Sequence, residues 1–199
     1  QAKDGQLNFV GLDGHVLAWD KIDYDGEFEL LIPKNTIDKL KTLGLTGEVR
    51  IRHSNAMAIF ATEDFEICTR LVQGEYYKYQ NMFKELPLHT VISRKELLDA
   101  MVRAKMCTAE KCPVKFEIAG SQLGLSIKDQ TTDYHETVDL QEDISEELTI
   151  GFDARLVIET LKAFDCDNVG ISLQGPKMPM IVEAEDSDFK TIVLPVAIK

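Results

Sequence analysis

His89-Thr90-Val91-Ile92-Ser93-Arg94-Lys95-Glu96-Leu97-Leu98 is the stretch that decides the fold. Thr90-Val91-Ile92 is a β-branched run, and such side chains favour a pleated strand. Ser93 with Glu96 three residues on is a capping box, in which hydroxyl and carboxylate satisfy free N–H groups at a helix start. The stretch reads as a strand running directly into a helix. Leu97, Leu98, Met101 and Val102 give that helix one apolar stripe. Sixty residues away on either side the arrangement recurs. Phe28-Glu29-Leu30-Leu31-Ile32 precedes Pro33, which suits a first helical turn, and Ile37 and Leu40 form the stripe. Leu148-Thr149-Ile150 precedes Asp153, a favoured N-cap, and Leu156, Val157, Thr160 and Leu161 form the stripe. A fixed period of this size means copies of one supersecondary unit, each too small to bury its own apolar face.

Three strands follow each helix. Val49 and Ile51 alternate with Arg50 and Arg52; Val114, Phe116 and Ile118 with Lys115 and Glu117; Val169, Ile171 and Leu173 with Gly170 and Ser172. Period two with one apolar face predicts sheets packed on one side, against the helices. Ser54-Asn55, Gly120-Ser121 and Gly175-Pro176 are expected as hairpin turns. Closing strands are expected over 65–72, 135–140 and 189–196. The fold class is α+β, a repeated β-α-β-β-β unit with antiparallel sheets outside and helices on one face. The first 27 residues break the count. Gln6 to Leu12 and His15 to Trp19 read as a strand pair with no helix before it, as if an earlier unit supplied a strand and a helix ahead of Gln1.

The 199 residues are 44% hydrophobic, enough for one large or two small cores. No run is long enough to span a membrane as a helix. Cys68, Cys107, Cys112 and Cys166 form no C-x-x-C pair and read as reduced thiols of a cytosolic protein, most of them packed as small hydrophobes. The net charge of −12 argues against a nucleic-acid partner, but it is unevenly spread. The first two helices carry +2 each and the third is neutral, which leaves −16 for strands and loops. One surface would then meet phosphate while the other repels it. Exposed helix faces also favour Lys and Arg on propensity alone.

The repeat, the Asp13-Gly14-His15 turn, Ile32-Pro33-Lys34, Arg70-Leu71-Val72-Gln73-Gly74 and the ending Val193-Leu194-Pro195-Val196 resemble the bacterial DNA polymerase III beta subunit, the sliding clamp. The resemblance covers essentially the whole chain. It implies the DNA clamp fold, with residues 1–84 as part of a middle domain and 85–199 as a complete third domain. It implies a cytoplasmic processivity factor without a catalytic site or cofactor. The full-length homodimer would ring duplex DNA without reading its sequence. Lys34, Lys41, Arg94, Lys95 and Arg103 are the candidates for the DNA-facing surface. Met106 and Cys107 are candidates for the subunit interface.

The resemblance also implies a pocket for short peptides of the Gln-Leu-x-Leu-Phe type. These come from the DNA polymerase III catalytic subunit, the clamp loader, repair polymerases and other peptide-motif proteins. Carried over by position, its walls are Leu12, Gly14, His15, Val16 and Leu17; Lys177 and Pro179; and Ile192, Val193, Leu194, Pro195, Val196 and Ala197. Asp153 and Leu156 lie nearby. The family usually has Thr at position 12, Arg at 16, Pro at 84 and a basic residue at 197. Here these are Leu12, Val16, Lys84 and Ala197, and two lost cations shift the expected preference towards apolar peptides.

Other chemistry finds little support. His53, His89 and His135 have no Cys or Asp partner at useful spacing and read as structural. No carboxylate pair stands out as acid and base. Trp19 and Tyr76-Tyr77-Lys78-Tyr79 suit packing better than base stacking. Two alternatives remain at this point: a clamp-like peptide-binding module that closes no ring, and a hydrolase on an α+β scaffold.

Overall fold

Ser93 ends a strand and caps the helix that follows, its hydroxyl oxygen accepting from the Glu96 N–H at 3.4 Å. Asp153 caps the third helix, accepting from the Arg155 N–H at 2.8 Å. Pro33 holds the cap position of the first helix without a side-chain bond. A computed structural model describes residues 1–44, 46–107, 113–128 and 131–198. In it the helices begin at Lys34, Arg94 and Ala154, so the sixty-residue period holds. The elements in chain order are β1 (Ala2–Lys3), β2 (Gln6–Leu12), β3 (Val16–Asp23), α1 (Lys34–Thr42), β4 (Arg50–His53), β5 (Met57–Ala61), β6 (Glu66–Arg70), a 3-10 turn (Tyr79–Met82), β7 (Leu88–Ser93), α2 (Arg94–Cys107), β8 (Val114–Lys128), β9 (Asp133–Phe152), α3 (Ala154–Ala163), β10 (Asn168–Leu173), β11 (Met180–Ala184) and β12 (Lys190–Val193). They fall into two units, one of residues 1–7 and 22–78, the other of residues 8–21 and 79–199.

The first unit has a small core, Leu30, Ala58 and Phe60, with Phe28, Ile32, Leu40, Val49 and Leu71 packed against it. The expected strand over Phe28–Ile32 is reduced to one bridge, Phe28 to Ala2. Its backbone partners are scattered: Phe28 bonds Ala2, whereas the Leu31 carbonyl accepts from Val72 at 2.8 Å. Among the described residues no single strand runs alongside it. The stripe of α1 is also rotated from the expected one. Thr36 is buried and its hydroxyl meets the Thr69 hydroxyl at 2.7 Å, while Ile37 is 45% exposed. Strands β4, β5 and β6 form an antiparallel sheet turning at Ser54-Asn55, as expected. Every residue of β4 is exposed, so its alternation does not bury Ile51. Cys68 is exposed rather than packed, because its β6 position falls on the open side of that narrow sheet. Cys112 lies outside the described residues.

The second unit is one antiparallel sheet in the order β2-β3-β12-β11-β10-β7-β9-β8. Helices α2 and α3 pack on each other and on one face of it. Leu97, Met101, Val157 and Leu161 meet Ile92, Val169, Ile171, Val182 and Val193 from the strands. Phe116 and Phe152 pack edge-on, ring centres 5.1 Å apart.

Three expectations fail here for identifiable reasons. Gly120 does not turn the chain. It takes a left-handed φ of 55° and forms an irregularity inside β8, where the register with β9 shifts. The strands expected at 135–140 and 148–150 are one strand, β9, paired with β8 from Val114 opposite Phe152 to Lys128 opposite Asp133. One copy's closing strand is continuous with the next copy's opening strand. Nor is the sheet covered on one side only. Gly170 and Ser172 are as buried as their apolar neighbours in β10. The segment after Lys78 lies over this second face: Tyr79 packs edge-on and Phe83 tilted against Trp19, both with ring centres 5.3 Å away, and Trp19 donates to the Asn8 side-chain oxygen at 2.9 Å. Of the aromatic run, Tyr79 serves packing, whereas Tyr77 is exposed.

The C-terminal segment is tied to β9 by the Val196 N–H, which donates to the Gly151 carbonyl at 2.8 Å. A Cβ on Gly151 would lie 2.7 Å from Ile198 Cγ1 and 2.8 Å from the Val196 carbonyl oxygen. Gly151→Val is expected to cost about 1–3 kcal/mol, the usual range for overpacking. Urea unfolding reads the loss, and faster amide exchange at Val196 locates it; an unchanged urea midpoint overturns it.

Candidate functional site

Strand β3 pairs antiparallel with β12, Val16 opposite Val193 and Leu17 opposite Ile192. This ladder brings residues near position 15 beside the C-terminal segment, and it lies wholly within the second unit. The Leu194 N–H donates to the His15 carbonyl at 2.9 Å. Asp13-Gly14-His15-Val16 is a two-residue hairpin turn, closed by the Asp13 N–H on the Val16 carbonyl at 3.2 Å. Gly14 has φ +87° and His15 an ordinary negative φ, the pattern of a type II′ turn, which needs Gly at that first position. The Asp13 carboxylate accepts from the N–H groups of His15 at 3.0 Å and Val16 at 2.8 Å. The α3 start is close enough for Arg155 to act electrostatically on Asp13.

The candidate walls divide by burial. Leu17, Ile192 and Val193 are fully buried and hold the site from behind. Val16, Asp153, Leu156, Pro179, Leu194, Pro195 and Val196 are half-buried; Leu12, Gly14, His15, Lys177 and Ala197 are exposed. Pro179 precedes Met180, which pairs with Val193, so the β10–β11 turn ends beside Leu194. The two hairpin turns, the α3 start and the C-terminal segment therefore converge.

The His15 N–H, then that of Val16, holds the Asp13 carboxyl below the usual carboxylate range. A carboxyl with a depressed folded pKa contributes stability above its unfolded value of about 4, lost as pH falls through the folded value. Wild type and Asp13→Ala should therefore differ in urea midpoint at pH 6 and converge towards pH 2. A difference independent of pH overturns this.

A pocket of about 400 Å³ opens on the second face of the sheet, lined by Phe83, Lys84, Glu85, Leu86, His89, Ser172, Ile181, Glu183 and Lys190. Lys190 and Ile192 share a face of β12, so this pocket adjoins the Leu17–Ile192 pair. Of its residues, sequence reasoning had reached only Lys84, as a departure, and His89, as structural. The signal lay in small or polar residues, His89, Gly170 and Ser172, within apolar strands.

The basic candidates are shared between the units. In the first, Lys34 pairs with Asp38 at 2.8 Å, and Lys41 has no carboxylate in reach among the described residues. In the second, Lys95 pairs with Asp99 at 2.7 Å. Arg94 is half-buried and its Nε donates to the Cys166 carbonyl at 2.5 Å, tying the α2 start to the loop after α3. The Arg103 Nε donates to Glu136 of β9 at 3.0 Å, and a second guanidinium nitrogen also bonds that carboxylate. The Tyr134 hydroxyl donates to Glu136 as well. The Arg103 guanidinium holds the Glu136 carboxyl below the usual range, while burial and then Glu136 push Tyr134 up to about 12. Exposed pairs of this kind add little stability, so Lys34 and Lys95 remain well-solvated cations. Met106 is 76% exposed at the end of α2, and Cys107 packs partly on the core.

Among the described residues no cluster of His, Cys, Asp and Glu could hold a metal, and no helix is long and apolar enough to cross a membrane. Residues 84–197 match the model of the DNA polymerase III beta subunit, C-terminal domain. The chain belongs to the DNA polymerase III beta subunit family.

Relatives in this family agree over nearly the whole chain. The beta sliding clamp of Streptococcus pneumoniae is 26% identical, over 96% of this chain and 53% of its own length. That of Vibrio cholerae is 27% identical, over 96% and 54%. The chain thus spans about half the length of the curated relatives it matches. Among solved structures, the sliding clamp of Pseudomonas aeruginosa superposes with a TM-score of 0.92 at 23% identity, covering 99% of this chain and 56% of that one. The Bacillus subtilis clamp gives 0.91 at 20% identity, covering 100% and 55%. The clamp fold that the resemblance implies is therefore the fold observed.

Proposed function

We propose that the chain is part of a bacterial sliding clamp, with residues 1–84 belonging to its middle domain and 85–199 forming its third. The observation that carries this reading is the family match over residues 84–197. The complete clamp is a cytoplasmic processivity factor without catalytic chemistry of its own. As a ring of two subunits it holds duplex DNA by phosphate contacts from Lys34, Lys41, Lys95 and Arg103, with Arg94 adding charge only. Such contacts position without reading sequence and weaken with salt. Met106 and Cys107 meet the second subunit.

The site between the Gly14 turn and the Pro195 segment takes peptides of the Gln-Leu-x-Leu-Phe type. Apolar groups there are half-exposed on a rigid ladder, which suits side-chain anchors from an extended segment. The partners are the polymerase III catalytic subunit, the clamp loader and repair polymerases. Fluorescence anisotropy of a labelled peptide tests this, with a control lacking the Leu and Phe anchors. Saturable, anchor-dependent binding is the expected result; equal binding of both peptides, or none, overturns the docking site. The changed residues Leu12, Val16 and Ala197 favour a second reading, a clamp-like peptide-binding module that closes no ring. Light scattering on the full-length protein separates the two: a dimer supports the ring, a monomer the module.

A further inference from the structure

We propose that the 400 Å³ pocket on the second face of the sheet selects, within a docked peptide, an aromatic side chain that carries a hydroxyl, namely tyrosine. This rests on the peptide-docking reading and names a preference within it. Three features of the pocket carry the argument.

Part of its wall is apolar and fixed. Phe83 is held against Trp19, Trp19 is anchored by Asn8 and Tyr79, and Leu86 and Ile181 are the other apolar residues of the lining. Such walls and that volume fit a ring. The floor is polar. His89 Nδ1 and the buried Ser172 hydroxyl are 3.0 Å apart, and Nε2 of the ring has no partner among the described residues. The ring is seated over Gly170, where a Cβ would come within 3.0 Å of it, so the floor is preorganised. Depending on its tautomer, Nε2 donates or accepts; a phenol hydroxyl does either and satisfies both cases. The charges around the pocket balance, with Lys84 and Lys190 against Glu85 and Glu183, and Lys190 bonds Glu183 at 2.8 Å. Nothing there recruits an ionised side chain. A phenylalanine would fill the walls but leave the floor without a bond.

The test compares two labelled peptides of the docking type, identical except for Phe or Tyr at the aromatic anchor, on wild type and on His89→Leu. One net hydrogen bond corresponds to about a threefold to tenfold preference. The wild type is expected to bind the tyrosine peptide tighter by that factor. His89→Leu should lose the preference and keep its affinity for the phenylalanine peptide. Equal wild-type affinities overturn this inference and leave docking intact, as does a variant that weakens both peptides equally. Binding of neither peptide overturns the docking reading and this one with it.

Discussion

Phe152→Ala is expected to destabilise the second unit by about 3–5 kcal/mol, the range for truncating a buried aromatic. Phe152 is fully buried, at the end of β9 where the strand hands over to the Asp153 cap. Its ring packs edge-on against Phe116 across the β8–β9 ladder. Alanine would leave a cavity that strands on one side and helices on the other cannot close, because close-packed cores relax only in part. A loss of this size is a large share of a typical domain's stability of about 5–15 kcal/mol. Urea unfolding followed by circular dichroism measures it. A cost under about 1 kcal/mol would mean that the β9–α3 junction is not the centre of this core. Ile51→Ala, on the exposed β4, is the contrasting case, expected within about 0.5 kcal/mol of wild type.

Leu12→Asp is expected to weaken docking of an anchored peptide by about tenfold to a hundredfold while leaving the fold intact. Leu12 is 50% exposed, so a charge there stays solvated in the free protein. The closure between Asp13 and Val16 sets Leu12 opposite Leu17, on the sheet face that also carries Ile192 and the tyrosine-selecting pocket. An apolar anchor seated there would lose most of the 1.5–3 kcal/mol that burying an aliphatic group contributes, about one to two factors of ten in affinity. Anisotropy gives the affinity and a thermal melt checks the fold. Unchanged affinity in a folded variant would move the docking site away from the Gly14 turn.

Much of the fold was legible because it rests on local rules. Ser93 and Asp153 announce their helices through short-range bonds to N–H groups two or three residues on, and the structure keeps both. The Gly14 turn was legible for the same reason, since only Gly suits that backbone angle in such a turn. The errors fall where long-range pairing overrides a local signal. Gly120 carries turn chemistry, but β9 is long enough to pair past it, so the strand bends and continues. Phe28–Ile32 carries strand chemistry, but among the described residues no continuous neighbour lies beside it. Among the site residues, Leu17, Ile192 and Val193 look like any apolar strand residues, and only the register shows that they stand behind the surface. Arg94 looks like a free surface cation until the loop after α3 is seen to accept its Nε proton.

By itself, the sequence determined the sixty-residue unit, the three helix starts and the α+β class, because these rest on periodicity, capping and turn chemistry within a few residues; the kinship to the beta subunit was legible only as a resemblance of short motifs in their order along the chain. Only the tertiary structure decided that β9 is shared between copies, that both faces of β10 are buried, and that Phe83, His89 and Ile181 line one pocket. Those depend on which distant segment lies against which strand face, and that is settled by packing across the sheet rather than by the order of residues along it.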